Sequence, residues 1–443
     1  MTHQIVNDKA NEIKVNCEEM LPPFQVPENS QEQIAIVGGG LASVHLALSL
    51  AQRGKTVRLF CKDNALAQGA SGNKQGALYP LLTPENDLLS QFYQQAFLFS
   101  RNRIQQLHTE GFHVSHDFCG VLQTGYNQRS TDRLNKILHA QDWPQDIVQA
   151  ISAQAANDLA GLDINKDGAF YPLGGWVCPA ELTQAVFAKA QTLADVQIRF
   201  NSKITSFEQT EKGWLLHTNE QQFGPYKTVV NACGSGLINF EQTQYIPASN
   251  FRGQVSHIPS RNDLKKMKAV LCAHGYITPQ HNQLHCMGAS YVKDDLNRDF
   301  QPYEQLGNLE KMQQSFGESN WVSDIDITGN SARVGVRLVT RDHFPMLGLA
   351  PNYPEIVKQQ KALDKNNKKL AEQYWKETRP AHFEGLYILG ALGSRGLCSG
   401  ALAAETLACI LCNEKTPLSE EYLERMNPNR LWLRKLIKNR PIY

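Results

Sequence analysis

Gly38, Gly39 and Gly40 follow the apolar run Ile34-Ala35-Ile36-Val37, and the chemistry this spacing supports is the binding of a pyrophosphate. Gly38 permits a tight turn, and Gly40 lets backbone N–H groups approach a phosphate at a helix N-terminus. Leu41, Ala42 and Ser43 complete the turn. Ser43 occupies the position where glycine or alanine is usual, and a serine is small enough for close packing of helix on strand. An acidic residue is expected about 20 residues further on, to hold a ribose. Cys61 stands there, followed by Lys62 and Asp63, so Asp63, or the backbone with a water, takes that part. An ordinary glycine turn is the competing explanation. Metal chemistry finds less support. Cys409-Ile-Leu-Cys412 has ligand spacing, but no second pair completes a zinc site. The pair falls within a helical pattern, Ala401 to Leu411, where core packing explains it.

The elements that must position the turn lie around it. Ile34–Val37 reads as a buried strand. Val44, Ala47, Leu48 and Ala51 recur at helical spacing, Gly54 stops the helix, and Val57–Phe60 is a second strand. Thr228–Ala232 reads as a strand ending in Asn231-Ala232-Cys233-Gly234-Ser235-Gly236. Leu386–Gly390 is another strand, running into a glycine turn and a helix of small residues. Strand-like runs at Ala269–Cys272, Gly275–Thr278 and Leu284–Gly288 predict an antiparallel sheet. With 443 residues the chain can bury two cores. Its 42% hydrophobic and 20% charged content is that of a globular enzyme, and no apolar run is long enough to cross a bilayer. The first residues lack a basic-then-apolar signal pattern, so a cytoplasmic location is expected. The ten cysteines are then expected as buried thiols.

Past the second strand, the small polar loop Gly69-Ala70-Ser71-Gly72-Asn73-Lys74-Gln75-Gly76-Ala77 runs into Leu78-Tyr79-Pro80-Leu81-Leu82. With these segments the chain resembles the D-amino-acid-oxidase-like (DAO) family of flavoenzymes. Within that family it is similar to the oxidase domain of bifunctional enzymes that modify the wobble uridine of tRNA. The resemblance runs from about Ile34 to near the C-terminus. It implies an α/β fold: a Rossmann-like FAD-binding domain with an inserted α+β substrate domain on an antiparallel sheet. The implied division is a tail or linker over 1–30 and an FAD-binding domain over 31–110, 170–245 and 380–415. The substrate domain takes 111–169 and 246–379, and a basic C-terminal helix 416–443. FAD is the implied cofactor. Its implied contacts are the Gly38–Ser43 turn, Lys62 and Asp63, and Ala70, Ser71, Gly72, Asn73, Gln75, Gly76 and Ala77 of the loop. Lys203 and Ile204 join at the adenine end, Ala232 and Gly234 at the pyrophosphate, and Gly390, Gly393, Ser394, Gly396 and Leu397 at the flavin ring.

Arg337 opens the pattern Arg337-x-x-Thr340-x-Asp342-x-x-Pro345-x-x-Gly348, which resembles glycine and amino-acid oxidases of the family. The resemblance implies that Arg337 grips a substrate carboxylate, with Tyr79 also at the substrate. A planar guanidinium suits that role, since it binds bidentately and keeps its charge when desolvated. A structural ion pair between Arg337 and Asp342 is the alternative. Arg395 would favour the anionic reduced ring, or reach the substrate carboxylate or a tRNA phosphate. The implied reaction oxidises the carboxymethylaminomethyl group of wobble (2-thio)uridine in tRNA through an imine, giving aminomethyl-uridine and glyoxylate. No catalytic histidine is required if the amine binds neutral. The relatives carry a preceding methyltransferase domain that this sequence lacks, so the chain reads as a stand-alone oxidase or a fragment. A separate methyltransferase is then expected for the following step. The rivals are an oxidase of glycine, sarcosine or a proline-like amine, and a non-catalytic flavin- or RNA-binding subunit.

A formal charge of +1 requires any RNA site to be local. Arg430, Arg434 and Lys438, four apart near the C-terminus, form the expected basic stripe, with Leu433, Leu436 and Ile437 on a docking face. The lysine-rich stretch from 357 to 375 reads as a solvated helix or insertion in preference to an RNA contact.

Overall fold

The computed structural model describes residues 33–363 and 367–442; the expected tail lies outside them. Its central layer is a six-stranded sheet in the order 346–351, 382–390, 228–231, 33–37, 56–60, 196–199. The strand Gln33–Val37 lies in the middle, parallel to Thr56–Phe60 on one side and Thr228–Asn231 on the other. Four of its five residues are buried, as an unbroken apolar run between two neighbours requires. The helix Leu41–Ala51 follows directly and exposes almost nothing. It is covered by the helices Pro179–Leu193 and Gly396–Leu411, whose many alanines allow close approach, and by Leu88–Thr109, capped by Asp87. Charge enters this core at Glu405, which is fully buried and accepts from Arg53 at 2.7 Å and from Arg103 at 3.4 Å.

A second, nine-stranded sheet carries the expected substrate side. Its long members are Ala248–Pro259 and Ala332–Thr340, paired antiparallel over their whole shared length. Val121–Thr124 joins it beside Val270–Cys272, which is how residues 111–169 come to share a sheet with residues 246–340. The helix Pro302–Phe316 packs on this sheet.

One expected placement shifts. Met346–Pro351, placed with the substrate domain from sequence, is the antiparallel edge strand of the six-stranded sheet, hydrogen-bonded to His382–Gly390. Residues 206–226 form a separate three-stranded sheet. The lysine-rich stretch folds as two helices, Tyr353–Ala362 and Lys368–Glu377. Ile356, Ala371 and Trp375 are buried and the lysines outward, the solvated reading expected of it.

Candidate functional site

A cavity of about 1180 Å³ lies between the two sheets, larger than a single small ligand needs. Its floor is the glycine turn. Gly38 has φ +143° and hydrogen-bonds from its N–H to the Phe60 carbonyl at 2.9 Å. A side chain there would strike the Ala232 carbonyl, so only glycine fits the crossing of strand and helix. Gly40 caps the helix without a side-chain acceptor, and no acidic residue occupies the first turn. The Leu41 N–H bonds Ser71 Oγ at 3.0 Å, which draws the small-residue loop onto this helix end. The end is thus a set of N–H donors with no built-in negative charge, the arrangement that receives a phosphate.

The other walls follow from the same topology. Lys62 and Asp63, paired at 2.7 Å, stand at the end of the strand Thr56–Phe60, with Lys203 and Ile204 beside them. Ala70, Ser71, Asn73, Gly76 and Ala77 line one side. Ala232 and Gly234 line a second, and Gly390, Gly393, Ser394, Gly396 and Leu397 a third. Three expected contacts stand behind the wall. Ser43 is fully buried, its hydroxyl 3.4 Å from the Ala232 carbonyl, where it serves helix–strand packing. Gly72 is backed by the Arg333 guanidinium, which donates to the Ala67 and Gly69 carbonyls at 3.0 and 3.2 Å. Gln75 spends its amide on the Pro279 carbonyl and the Thr278 hydroxyl, both at 2.9 Å, and so ties the loop to the nine-stranded sheet. The turn, the loop and the two basic residues together fit a flavin dinucleotide.

Arg337 projects from the strand Ala332–Thr340 into this cavity. Its guanidinium lies over Gly253 of the facing strand, where an added Cβ would sit 2.6 Å from both terminal nitrogens. Asp342, the alternative partner, is taken by Arg430 at 2.9 and 3.0 Å, with Arg434 at 3.5 Å. Among the described residues no carboxylate comes within ion-pair distance of Arg337. Burial lowers its pKa and the facing Tyr276 and Tyr291 act in the opposite direction, yet an arginine so placed stays charged. A desolvated, unpaired cation on a cavity wall is a receptor for an anionic group.

Arg395 is held differently. It immediately precedes the helix Gly396–Leu411, donates to the Tyr79 carbonyl at 3.0 Å and lies 4.6 Å over the Tyr79 ring. Burial works against its charge, but Tyr79, Cys398 and Tyr93 outweigh burial and raise its pKa. Arg395 and Tyr79 therefore form one rigid corner. Burial also pushes the wall thiols up, Cys272 to about 12 and Cys398 to about 11, so both are neutral at pH 7 and neither is a nucleophile. Sequence reasoning missed Tyr276, Tyr291, Arg298 and Lys311, all on the wall. They lie in the antiparallel sheet, its loop and its covering helix, and carry no motif. One member of the basic stripe is corrected: Arg430 is 4% exposed and spent on Asp342 and the Phe344 carbonyl, while Arg434 and Lys438 are exposed. The helix ends at Leu436, short of Lys438, and buries Trp432 and Leu436. Cys409 is buried, its Sγ 3.2 Å from Arg53 Nη2.

Comparison with known proteins places this geometry. Over 428 residues the chain is 53% identical to the tRNA 5-methylaminomethyl-2-thiouridine biosynthesis bifunctional protein MnmC of Shewanella frigidimarina, covering 95% of this chain and 61% of that protein. The same-named protein of Shewanella oneidensis is 54% identical over 432 residues, covering 95% and 62%. The chain thus spans about three-fifths of the length of these relatives. Glycine oxidase from Geobacillus kaustophilus shares its fold with a TM-score of 0.70 at 18% identity, covering 89% of this chain and 98% of that one. L-proline dehydrogenase from P. horikoshii does so with a TM-score of 0.69 at 15% identity, covering 91% and 98%. No helix among the described residues is long and apolar enough to cross a membrane. Residues 33–410 match the family described as FAD dependent oxidoreductase, and the chain belongs to that DAO family of FAD-dependent oxidoreductases.

Proposed function

We propose that this chain oxidises the carboxymethylaminomethyl group of wobble (2-thio)uridine in tRNA, releasing glyoxylate and leaving aminomethyl-uridine. The observation that carries the reading is the Arg337 guanidinium, charged, on the cavity wall and without a carboxylate partner. A substrate with a carboxylate one carbon from its amine satisfies it. The names of relatives more than half identical over nearly the whole chain support tRNA as the molecule that bears this group.

When bound, the flavin supplies the hydride-accepting capacity that amino-acid side chains lack. Arg337 would hold the carboxylate on the wall of the same cavity that Gly76 and Leu397 line. Tyr276 and Tyr291 flank the guanidinium and narrow its access to water. Water adds to the imine carbon after oxidation and the C–N bond breaks, so the nitrogen stays on the uridine as a primary amine.

Anaerobic mixing tests this. Anticodon stem-loop RNA carrying carboxymethylaminomethyl-uridine should bleach the flavin absorbance and yield glyoxylate. Glycine and sarcosine should do so far more slowly. Faster reduction by either small amine would favour a small-molecule oxidase instead.

A further inference from the structure

With Arg430 buried, a different basic surface stands beside the cavity. The helix Gln128–Ala140 presents Arg129, Arg133 and Lys136 at i, i+4 and i+7, all three exposed on one face around a shallow groove. Asp132 shares the groove and, with its carboxylate accepting from Gln128 Nε2 at 2.8 Å, keeps its negative charge, so the face carries a net charge of two rather than three. Among the described residues none of the three cations has an acid within ion-pair distance. Like charges at this spacing repel weakly, and an anionic partner would relieve that repulsion.

Its position gives the row meaning. Tyr126 precedes the helix cap Asn127 and stacks on His274, ring centroids 4.3 Å apart and planes within 9°. His274 lines the cavity and is anchored by Gln314 at 2.8 Å. The strand Val121–Thr124, which leads into Tyr126, places Gln123 on the same wall. The cationic face therefore starts two stacked rings from the cavity and extends along the helix for about 10 Å at 1.5 Å per residue.

We propose that Arg129, Arg133 and Lys136 bind the backbone phosphates of RNA whose splayed-out base carries the reacting group into the cavity. This rests on the tRNA reading above. A base read in a single-stranded loop leaves its flanking phosphates at the mouth of the pocket, where a short row of unpaired cations meets them. A chain of net charge +1 has no bulk attraction for RNA, so a local row must supply it.

The test measures binding of the modified anticodon stem-loop to the FAD-loaded protein from about 50 to 200 mM salt. Each lost contact should flatten the slope of log K against log salt by roughly 0.7 to 0.9, so R129Q/R133Q/K136Q together lose roughly 2 to 2.7. Over that fourfold salt range the wild type should then lose roughly 20- to 40-fold more affinity than the triple variant. An unaltered flavin spectrum reports that the variant is folded. Should the triple variant not fold, Arg133→Gln alone should flatten the slope by a single step. RNA binding by wild type with an unchanged slope in the variants would overturn this surface and leave the proposed reaction standing. No RNA binding by wild type at low salt would overturn both.

Discussion

Gly253→Ala probes the substrate site without removing a charged group. Gly253 lies within the strand Ala248–Pro259, outside the left-handed region, so alanine suits its backbone. The added Cβ would sit 2.6 Å from both terminal nitrogens of Arg337 and 2.8 Å from its central carbon. Ordinary contact begins near 3.4 Å, so the guanidinium must retreat by at least 0.8 Å. A misplacement near 1 Å at a positioning group costs up to about 10²-fold in rate. The expected result is a fall in kcat/KM of about 10- to 100-fold for the modified stem-loop, with flavin content and thermal stability unchanged. Arg337→Ala, which leaves a buried substrate carboxylate without its partner, should cost more. A loss of about 2–5 kcal/mol corresponds to roughly 30- to 5000-fold. Anaerobic stopped-flow reduction of the flavin reads both variants directly. Wild-type reduction kinetics in Gly253→Ala, with the flavin bound, would refute the claim that the position of Arg337 matters.

Three further outcomes are expected. Gly38→Ala, with φ at +143° and the Ala232 backbone carbonyl in the way, should yield protein without bound FAD; a yellow variant with the wild-type spectrum would contradict the tight-turn reading. Arg430→Ala leaves Asp342 to Arg434 alone and should lower stability by about 3 kcal/mol in urea titrations, whereas its effect on RNA affinity should be slight. Burial, with Lys74 and Arg333 adding to it, pushes His257 down to about 4. The native state thus favours neutral His257, so its contribution is complete above pH about 6.5 and is lost as pH falls towards about 4, by up to about 1.4 kcal/mol per pH unit. His257→Gln should flatten that acid limb by one proton, and an unchanged limb would show that His257 does not titrate in this way.

The sequence by itself determined what depends on neighbouring residues. Ile34–Val37, the three glycines and the helical spacing of Val44, Ala47 and Leu48 lie within a short stretch, and the backbone needs of the turn are written there. The same holds for the glycine turn at Gly390–Gly396 and for the loop around Ser71, whose hydroxyl does meet the first helix. Tertiary structure decided the partners of side chains. Arg337 and Asp342 are five residues apart and could pair, yet the strand carries one into the cavity while Arg430, 88 residues on, takes the other. Gln75 looks like a cofactor contact until Thr278, 203 residues away, is found on its amide. Arg430 left the basic stripe for the same reason: helical spacing sets which residues share a face, but not which of them the protein buries. Met346–Pro351 shows the corresponding limit for strands, since an edge strand reads alike whichever sheet it joins. Which charge stays unpaired beside a cavity depends on contacts between strands far apart in the chain, and no local pattern records them.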